Sequence, residues 1–501
     1  MRIRTVKFNF IMNAILTVSS ILFPLITFPY ISRVLLVEGS GKVAFATSVV
    51  SYFTMFATLG IPTYGIRECA RVRDNKEELS RTVQELLIIS GITTAITYGV
   101  FFLFLFVVPQ FKGQKELLIV IGASIGLTTI GVQWFYSALE QYSYITVCAV
   151  LFKIIGLILM FLLVKKPEDY VIYGAVYVIG SFGSYVLNFL RLRRFVTFKK
   201  QGKYNLQRHR KGIITFFLLS VATSVYLNLD LVMLGFMKGD VEVGYYNAGI
   251  KVKTVLVTCV TSLGTVLLPR LSYYIQQEKK QEFQRMVTKA FQFVLIVSVP
   301  MMVYFILYAK ESILFLAGES FLPATAPMII LMPTVLFIGL SNITGIQILT
   351  PLGRENHVVC SVTAGAILDF VLNLILIPKF GAAGAAFSTT MAEMLVLIIQ
   401  CMYLRKQLWE MVKRIQGWKM FFAIIFSFIV GVMFQNKISM SVLGTLCVSA
   451  ILFFGVYGVI LLLLKEDFVS DIVKSIIKKS KILFQEFCFF ILICISLLLV
   501  R

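Results

Sequence analysis

The residues of this sequence that could do chemistry are ionisable side chains placed in or at the ends of long apolar runs. The basic members of the set are Arg33, Lys153, Lys251 and Lys253. The acidic members are Asp230, Asp369 and Glu393. A charged side chain at the centre of a membrane costs about 2.5–3.5 kcal/mol on insertion scales, so such residues usually face a water-filled cavity or a partner. The set therefore predicts a polar cavity inside a membrane protein.

The chemistry of this cavity would be the binding of an anion, such as the diphosphate of a lipid head group, because its basic groups would otherwise lack partners. Asp230 would balance that charge or bind a coupling cation. Lys251 and Lys253 are two residues apart and would point in nearly opposite directions on a helix, so only one should face the cavity. The alternative is structural pairing, for instance of Asp230 with one of these lysines, or snorkelling to the interface.

The sequence contains few residues that could form other kinds of functional site. The two histidines, His209 and His357, fall in predicted polar loops, and the eight cysteines mostly lie in apolar runs without a CxxC pair. A metal site or a catalytic triad is therefore not expected. The ATP-binding signature GxxxxGK[ST] is absent from the sequence. We predict no cofactor, and energy would come from the membrane potential, a H⁺ or Na⁺ gradient, or downstream polymerisation.

The elements that must position these residues are membrane helices. Of the 501 residues, 58% are hydrophobic and 14% are charged, whereas soluble domains are about 25% charged. The many long runs of Phe, Ile, Leu and Val could not share one water-soluble core. This excludes a soluble globular protein, a disordered chain and a disulfide-rich secreted scaffold. The runs are continuous rather than alternating, which argues against a β-barrel.

The apolar runs are long enough to be transmembrane helices, which need roughly 20 apolar residues each. Fourteen such spans lie near residues 8–35, 43–66, 84–108, 117–138, 144–164, 170–190, 213–237, 242–269, 290–309, 325–350, 358–377, 382–404, 419–436 and 440–464. We therefore predict an all-α polytopic membrane protein with about 14 transmembrane helices. Whether the last apolar stretch, residues 482–500, forms a fifteenth span is left open.

The predicted spans fall into two six-helix lobes and an appendix. The N-terminal lobe covers residues 1–200, with a basic cytoplasmic linker to about residue 212. The C-terminal lobe covers 213–404, and two additional helices with a basic and apolar tail occupy 405–501. A weak internal repeat supports this division, because residues 34–46 resemble residues 232–248. Facing six-helix repeats are a transporter arrangement, with the substrate site between them.

The distribution of Lys and Arg predicts the orientation. If the N-terminus is cytoplasmic, the cytoplasmic segments hold most of the 47 Lys and Arg residues, in agreement with the positive-inside rule. The largest basic loop, Arg191 to Lys211, is then a topological determinant beside anionic lipid or an attractant for anionic substrates. Topology thus accounts for the formal net charge of +22, and no nucleic-acid partner is expected.

A set of polar and aromatic residues is predicted at the cytoplasmic entrance of the cavity. Gln133, Trp134 and Glu140 lie at the cytoplasmic end of the fourth span, and Arg67 and Arg270 lie at equivalent cytoplasmic positions of the two repeats. The aromatic residues around Trp134 are either an interfacial belt or a platform on which sugars stack.

Several motifs follow one another along the chain in a characteristic order. They are Phe28-Pro29-Tyr30-Ile31-Ser32-Arg33, Tyr64-Gly65-Ile66-Arg67-Glu68, Gly131 to Tyr136 with Glu140, Lys153-Ile154-Ile155, Asp230 to Ala248, Leu349 to Asn356 and Leu376 to Ala386. Their order and spacing resemble those of bacterial polysaccharide-repeat-unit flippases of the multidrug/oligosaccharidyl-lipid/polysaccharide exporter superfamily. The resemblance extends to about residue 464 and implies a fourteen-helix, two-lobed fold.

The function that the resemblance implies is translocation of undecaprenyl-diphosphate-linked oligosaccharide repeat units to the outer leaflet by alternating access. The protein would act in the bacterial cytoplasmic membrane, in the synthesis of capsule, exopolysaccharide or O-antigen. Its partners would be this lipid-linked oligosaccharide and membrane lipids, with the polysaccharide polymerase and the chain-length machinery as further candidates.

Three other functions compete with this one. A cation-coupled multidrug antiporter of the same superfamily would favour an acidic cavity, whereas basic groups outnumber acidic ones in these spans. A flippase for a cell-wall lipid precursor would use the same fold. An enzyme, such as a membrane polymerase or glycosyltransferase, is not expected, because the predicted outer loops are too short to carry its acidic or His groups.

Overall fold

The computed structural model describes residues 6–200, 202–412, 415–435 and 440–470, so the apolar stretch 482–500 lies outside the described residues. The regular structure in these ranges is helical, without strands. Ten of the helices are long and apolar enough to cross a membrane, or eleven if one bent pair counts as a span. The prediction of an all-α polytopic membrane protein is confirmed, and the count of about fourteen spans stays a prediction.

Seventeen α-helices follow one another in the described chain. The first eight are α1 (Val6–Thr58), α2 (Ile61–Arg71), α3 (Lys76–Val107), α4 (Lys115–Ile130), α5 (Gln133–Ala138), α6 (Tyr142–Leu163), α7 (Tyr170–Phe182) and α8 (Ser184–Leu192). The others are α9 (Arg210–Met237), α10 (Asp240–Gln276), α11 (Lys280–Leu307), α12 (Ala309–Ala317), α13 (Thr325–Leu331), α14 (Pro333–Ser341), α15 (Glu355–Val412), α16 (Gly417–Gln435) and α17 (Val442–Leu463). A π-helix, Asn342–Leu349, follows α14.

Two of these helices bend sharply and each accounts for a pair of predicted spans. Helix α1 bends at Leu36, whose φ is 57°, so the residues predicted as an outer loop continue as helix beyond the bend. Helix α15 bends at Gly381, whose φ is 53°, three residues after Pro378. Pro378 lacks the N–H that a helix needs, and glycine adopts a positive φ without steric cost. The carboxylate of Glu242 then accepts from the N–H of Ala382 at 2.6 Å and caps the second arm.

The described residues form two compact units. The first comprises the described part of Met1–Val255 with Ile313–Leu331 and Thr363–Ala392. The second comprises Leu256–Ser312, Met332–Val362 and the described part of Glu393–Arg501. The first unit thus contains segments from both predicted six-helix lobes. The lobe boundaries themselves stay a prediction.

Each unit has its own apolar core. In the first unit, Trp134 and Phe135 of α5 are buried in one cluster with Ile61 of α2. In the second unit, Tyr304 of α11 packs edge-on against Phe453 of α17, with ring centroids 5.6 Å apart. The first cluster also includes Ile145 of α6 and Ile213 of α9, the helices that carry Lys153 and Asp230.

Candidate functional site

Asp230 lies at the centre of a buried hydrogen-bonded cluster in the first unit. Its carboxylate on α9 accepts from Asn373 Nδ2 at 2.6 Å and from Thr389 Oγ1 at 2.8 Å, both on α15. It also accepts from the hydroxyl of Tyr246 on α10. Asn373 Nδ2 reaches Asp369 Oδ2 at 3.2 Å, since residues four apart share one face of a helix. Helices α9 and α15 thus bring two carboxylates to one amide group, and α10 adds the Tyr246 hydroxyl.

The neighbours of Asp230 are neutral donors rather than cations. Within the described residues it forms no ion pair with Lys251 or Lys253, so structural pairing with these lysines is not what holds it. The oxygen Oδ1 of the fully buried Asn373 has no hydrogen-bond partner in the part of the chain that the structure describes. A buried carboxylate beside a second carboxylate and a free amide oxygen can take up a proton or a small cation. Glu393, the third predicted acid, is buried in the second unit.

Three basic residues of the predicted cavity lie on α6 and α10 without a carboxylate partner among the described residues. Lys153 on α6 donates to Ser19 Oγ at 2.9 Å and to Ser20 Oγ at 2.8 Å, both on α1. Lys251 and Lys253 are half-buried on α10. None of the three forms an ion pair in the described part of the chain. A role of these three amines in binding an anion stays a prediction.

Arg33 has backbone partners. Its guanidinium donates to the carbonyl oxygens of Pro29 at 2.6 Å, Leu314 at 3.3 Å and Phe315 at 2.6 Å. Leu314 and Phe315 lie near the end of α12, where the helix dipole is negative, and the Leu314 carbonyl also accepts from the N–H of Gly318 at 3.1 Å. Arg33 therefore ties α1 to α12, and its remaining N–H groups can still meet an anion.

An unexpected feature is a close backbone contact between α1 and the first turn of α10, which we call the outer contact (residues 37–41 against 240–244). A Cβ on Gly41 would lie 1.8 Å from the carbonyl oxygen of Asp240, and a Cβ on Gly244 would lie 2.5 Å from that of Val37. Only glycine permits such an approach. Beside it, Gln114 Nε2 donates to both carboxylate oxygens of Asp240 at 2.7 and 2.8 Å. The internal repeat contains both segments, but nothing in it indicates that they touch.

The predicted entrance residues lie in several different surroundings. Glu140 accepts from Arg73 at 3.1 Å and from Asn9 at 3.3 Å. Arg270 is exposed on the second half of α10, in the second unit, and Gln133 begins α5 in the first. A shared entrance role for these residues stays a prediction.

Trp134 and Arg67 are held by aromatic packing. A Cβ on Gly65 would lie 2.6 Å from the Trp134 ring, so this side chain is buried and the covered face is not open for stacking. The Arg67 guanidinium lies 5.3 Å from the ring centroid of Tyr64 and pairs with Glu68 at 3.1 Å. About half of the Arg67 side chain is still exposed.

The end of the basic linker is docked on the first unit through His209, which the sequence alone placed in a polar loop. His209 is only 2% exposed. Its Nδ1 lies 2.7 Å from the hydroxyl of Tyr64, and its Nε2 lies 2.8 Å from Glu85 Oε2. Arg208 pairs with the same carboxylate at 2.6 Å. The sequence feature that could have indicated Glu85 as a partner of His209 is its position as a glutamate at the start of an apolar span.

We expect the stability of this docking to fall at acidic pH. Burial lowers the pKa of His209 below its usual range, and the charge of Arg208 lowers it further. The carboxylates of Glu85 and Glu68 raise this pKa but do not cancel the effect of burial. If Nε2–H donates to the Glu85 carboxylate, Nδ1 of the neutral ring accepts from the Tyr64 hydroxyl, and protonation removes that acceptor. His209 binds a proton more readily in the unfolded chain than in the folded protein. The stability that the neutral His209 ring contributes is therefore complete above about pH 6.5 and is lost as the pH falls below that value. The thermal unfolding temperature of the wild type should therefore drop more steeply than that of His209→Gln between pH 7.5 and 5.5. Parallel curves would contradict this.

Two family profiles match the chain. The profile of the polysaccharide biosynthesis protein family matches residues 6–275, which is more than half of the chain. The profile of the MatE family matches residues 216–375. Together they cover most of the residues that form the Asp230 cluster and the outer contact.

Known relatives and solved structures agree with these matches. A protein of Escherichia coli (strain K12) named "Putative O-antigen transporter" is 24% identical over 411 residues, which cover 79% of this chain and 96% of that protein. The lipid II flippase MurJ in an inward closed conformation superposes with a TM-score of 0.71 at 14% identity, over 90% of this chain and 98% of that one. An inward-facing multidrug resistance MATE transporter of the MOP superfamily gives 0.60 at 12% identity, over 78% and 96%. At these identities the two structures show a shared fold.

Proposed function

Because the chain belongs to the polysaccharide biosynthesis protein family, within the multidrug/oligosaccharidyl-lipid/polysaccharide exporter superfamily, we propose that it is a flippase for undecaprenyl-diphosphate-linked oligosaccharide repeat units. It moves them from the cytoplasmic to the outer leaflet of the bacterial cytoplasmic membrane, for surface polysaccharide synthesis. The name of the Escherichia coli relative supports this class of substrate. The N-terminus lies in the cytoplasm in this proposal.

The observation that carries the proposal is the set of unneutralised cations on membrane helices. Lys153 is oriented by Ser19 and Ser20 rather than by a carboxylate, so its charge is held in place and is still available. Phosphate oxygens form short, strong hydrogen bonds with Lys and Arg. The diphosphate of the substrate would therefore bind among Lys153, Lys251, Lys253 and Arg33, while its lipid tail stays in the bilayer.

The outer contact supports alternating access. In this structure α1 and α10 meet at Gly41 and Gly244, near the predicted outer ends of the two repeats. Opening toward the outer leaflet requires this contact to separate. The same movement shifts α10 and α15, which carry Tyr246, Thr389 and Asn373 around Asp230.

The Asp230 cluster supplies the coupling step in this mechanism. Uptake of a proton or Na⁺ at Asp230 and Asp369 would neutralise charge and change the hydrogen bonds that join the helices. The membrane potential contributes about 2.3 kcal/mol per charge per 100 mV. Transport would then be driven by an ion gradient together with the potential.

The direct test is leaflet accumulation in the host that carries the gene. Deletion should cause lipid-linked oligosaccharide to accumulate on the cytoplasmic face, with loss of surface polysaccharide, and mass analysis would identify the sugars. Unchanged lipid-linked sugars with normal surface polymer would contradict the proposal. Rescue of a cell-wall flippase mutant, or a gain of drug resistance, would instead identify one of the competing transporters.

Replacement of Lys153 tests the cationic site itself. Lys153→Ala and Lys251→Ala should each reduce export roughly tenfold, the scale of one hydrogen bond to a charged group, without lowering the amount of protein in the membrane. Lys153→Arg retains the charge and should retain part of the export. Lys165→Ala, outside the apolar spans, is the matched control. Normal export in both alanine variants would remove the cationic site from the mechanism.

A further inference from the structure

A second basic site lies apart from the residues used for transport. It is a cavity of about 610 Å³ between the start of α3 and the segment that follows α8. Its lining combines three cations, Lys76, Arg193 and Arg194, with three aromatic rings, those of Phe189, Phe195 and Phe198. None of the described residues that line it carries a carboxylate. A cavity with this lining matches an amphiphile that has an anionic head and an apolar body.

The basic residues of this region fall into two groups. Arg191 stacks on Tyr144, with its guanidinium carbon 3.9 Å from the ring centroid, and Arg208 pairs with Glu85. The cavity cations Lys76, Arg193 and Arg194 are exposed, and among the described residues they have no side-chain hydrogen bond or ion pair. The fold therefore uses some charges of the region internally and leaves these three facing one cavity.

The walls of the cavity are fixed to α3. The backbone N–H of Thr197 donates to Ser80 Oγ at 3.2 Å, and Gln84 Nε2 donates to the carbonyl oxygens of Thr197 and of Lys199, the latter at 3.0 Å. The chain that carries Phe195 and Phe198 is thus held against the helix that Lys76 begins. A preformed site of this kind costs a ligand little ordering entropy.

We propose that this cavity binds the phosphate of an anionic membrane lipid. Arg193, Arg194 and Lys76 contact the phosphate oxygens, and the phenylalanine rings pack against the glycerol and the first part of the acyl chains. In the predicted topology the site lies at the cytoplasmic surface, where anionic lipids attract basic residues. A bound lipid would bridge α3 and the linker and so stabilise the docked linker.

The test is a lipid titration of the purified, delipidated full-length protein, followed by native mass spectrometry. Phosphatidylglycerol should bind the wild type, and the variant Lys76→Gln/Arg193→Gln/Arg194→Gln should bind it about 100-fold more weakly, because each basic residue contributes roughly a factor of five. The control variant Lys199→Gln/Lys200→Gln/Lys203→Gln removes the same charge from neighbouring exposed positions outside the cavity and should bind almost as the wild type does.

Several outcomes would overturn the site. If both triple variants bind phosphatidylglycerol equally weakly, the lipid is attracted by the overall positive charge of the region and not by this cavity. If Lys76→Gln/Arg193→Gln/Arg194→Gln binds it as tightly as the wild type does, the cavity is not a binding site. Equal binding of phosphatidylcholine would remove the role of the charge. The variant Arg193→Lys/Arg194→Lys keeps the charge and should keep most of the binding, which separates loss of the site from misfolding.

Comparison with a second phosphate-containing lipid shows which class of lipid the cavity binds. Tighter binding of undecaprenyl phosphate than of phosphatidylglycerol would assign the cavity to the polyprenyl carrier, and the reverse order would assign it to a phospholipid. The readout is binding in detergent, so failure of the flippase proposal would leave it unaffected.

Discussion

Alanine in place of Gly41 should abolish export of surface polysaccharide while the protein still inserts and folds. The added Cβ would lie 1.8 Å from the Asp240 carbonyl oxygen, far inside van der Waals contact, and both groups belong to helix backbones that cannot rotate away. Overpacking of this kind costs about 1–3 kcal/mol, which lowers the population of the closed state by roughly 5- to 150-fold. Gly244→Ala, at 2.5 Å from the Val37 carbonyl oxygen, should have the same effect to a smaller extent.

Gly91 and Gly99 provide matched controls on α3. A Cβ at either position meets no heavy atom within 4 Å, so Gly91→Ala and Gly99→Ala should export normally. Opening can be followed in a background without the eight native cysteines, with Val37→Cys labelled by a membrane-impermeant maleimide. Val37 is 7% exposed in this structure, and labelling should increase when Gly41→Ala is added. If all four alanine variants export alike, the outer contact is not part of the transport cycle.

Removing the charge of Asp230 should reduce transport more than tenfold. Asp230→Asn keeps the size of the side chain but loses the carboxylate that Asn373, Thr389 and Tyr246 donate to. The new amide hydrogens would face groups that are already donors, which costs about 1–3 kcal/mol for a buried group. Above all, the asparagine amide cannot take up a proton and offers no negative charge to Na⁺. We therefore expect flipping in proteoliposomes to lose its dependence on an imposed H⁺ or Na⁺ gradient.

The controls for Asp230 each remove one of the donors to its carboxylate and leave the carboxylate itself. Tyr246→Phe and Thr389→Val should lower thermal stability but keep a gradient-dependent rate. If these variants lose transport to the same degree as Asp230→Asn, the cluster is a structural network. A gradient-dependent rate in Asp230→Asn would move the coupling site elsewhere.

The class of this protein and its family could both be predicted from the amino-acid sequence. Long apolar runs are transmembrane helices whatever their neighbours, because a bilayer leaves no other way to satisfy the backbone hydrogen bonds of a chain this apolar. The motifs from Phe28 to Arg33 and from Asp230 to Ala248 indicated the same family that the profile over residues 6–275 shows. Isolated charges such as Lys153 and Asp230 could be found because their cost in a membrane makes them exceptional.

The contacts of those charged residues became visible only in the folded protein. The partners of Asp230 are 16 to 159 residues away in the chain, and His209 reaches Glu85 across 124 residues. Helical periodicity relates residues three or four positions apart, and hydropathy measures only the average polarity of a segment, so neither specifies which helices meet. The contact of Gly41 with Asp240 depends on how two helix backbones pack against each other. Because glycine has no side chain, it adds nothing to the pattern of hydrophobic and polar residues from which such packing could be predicted.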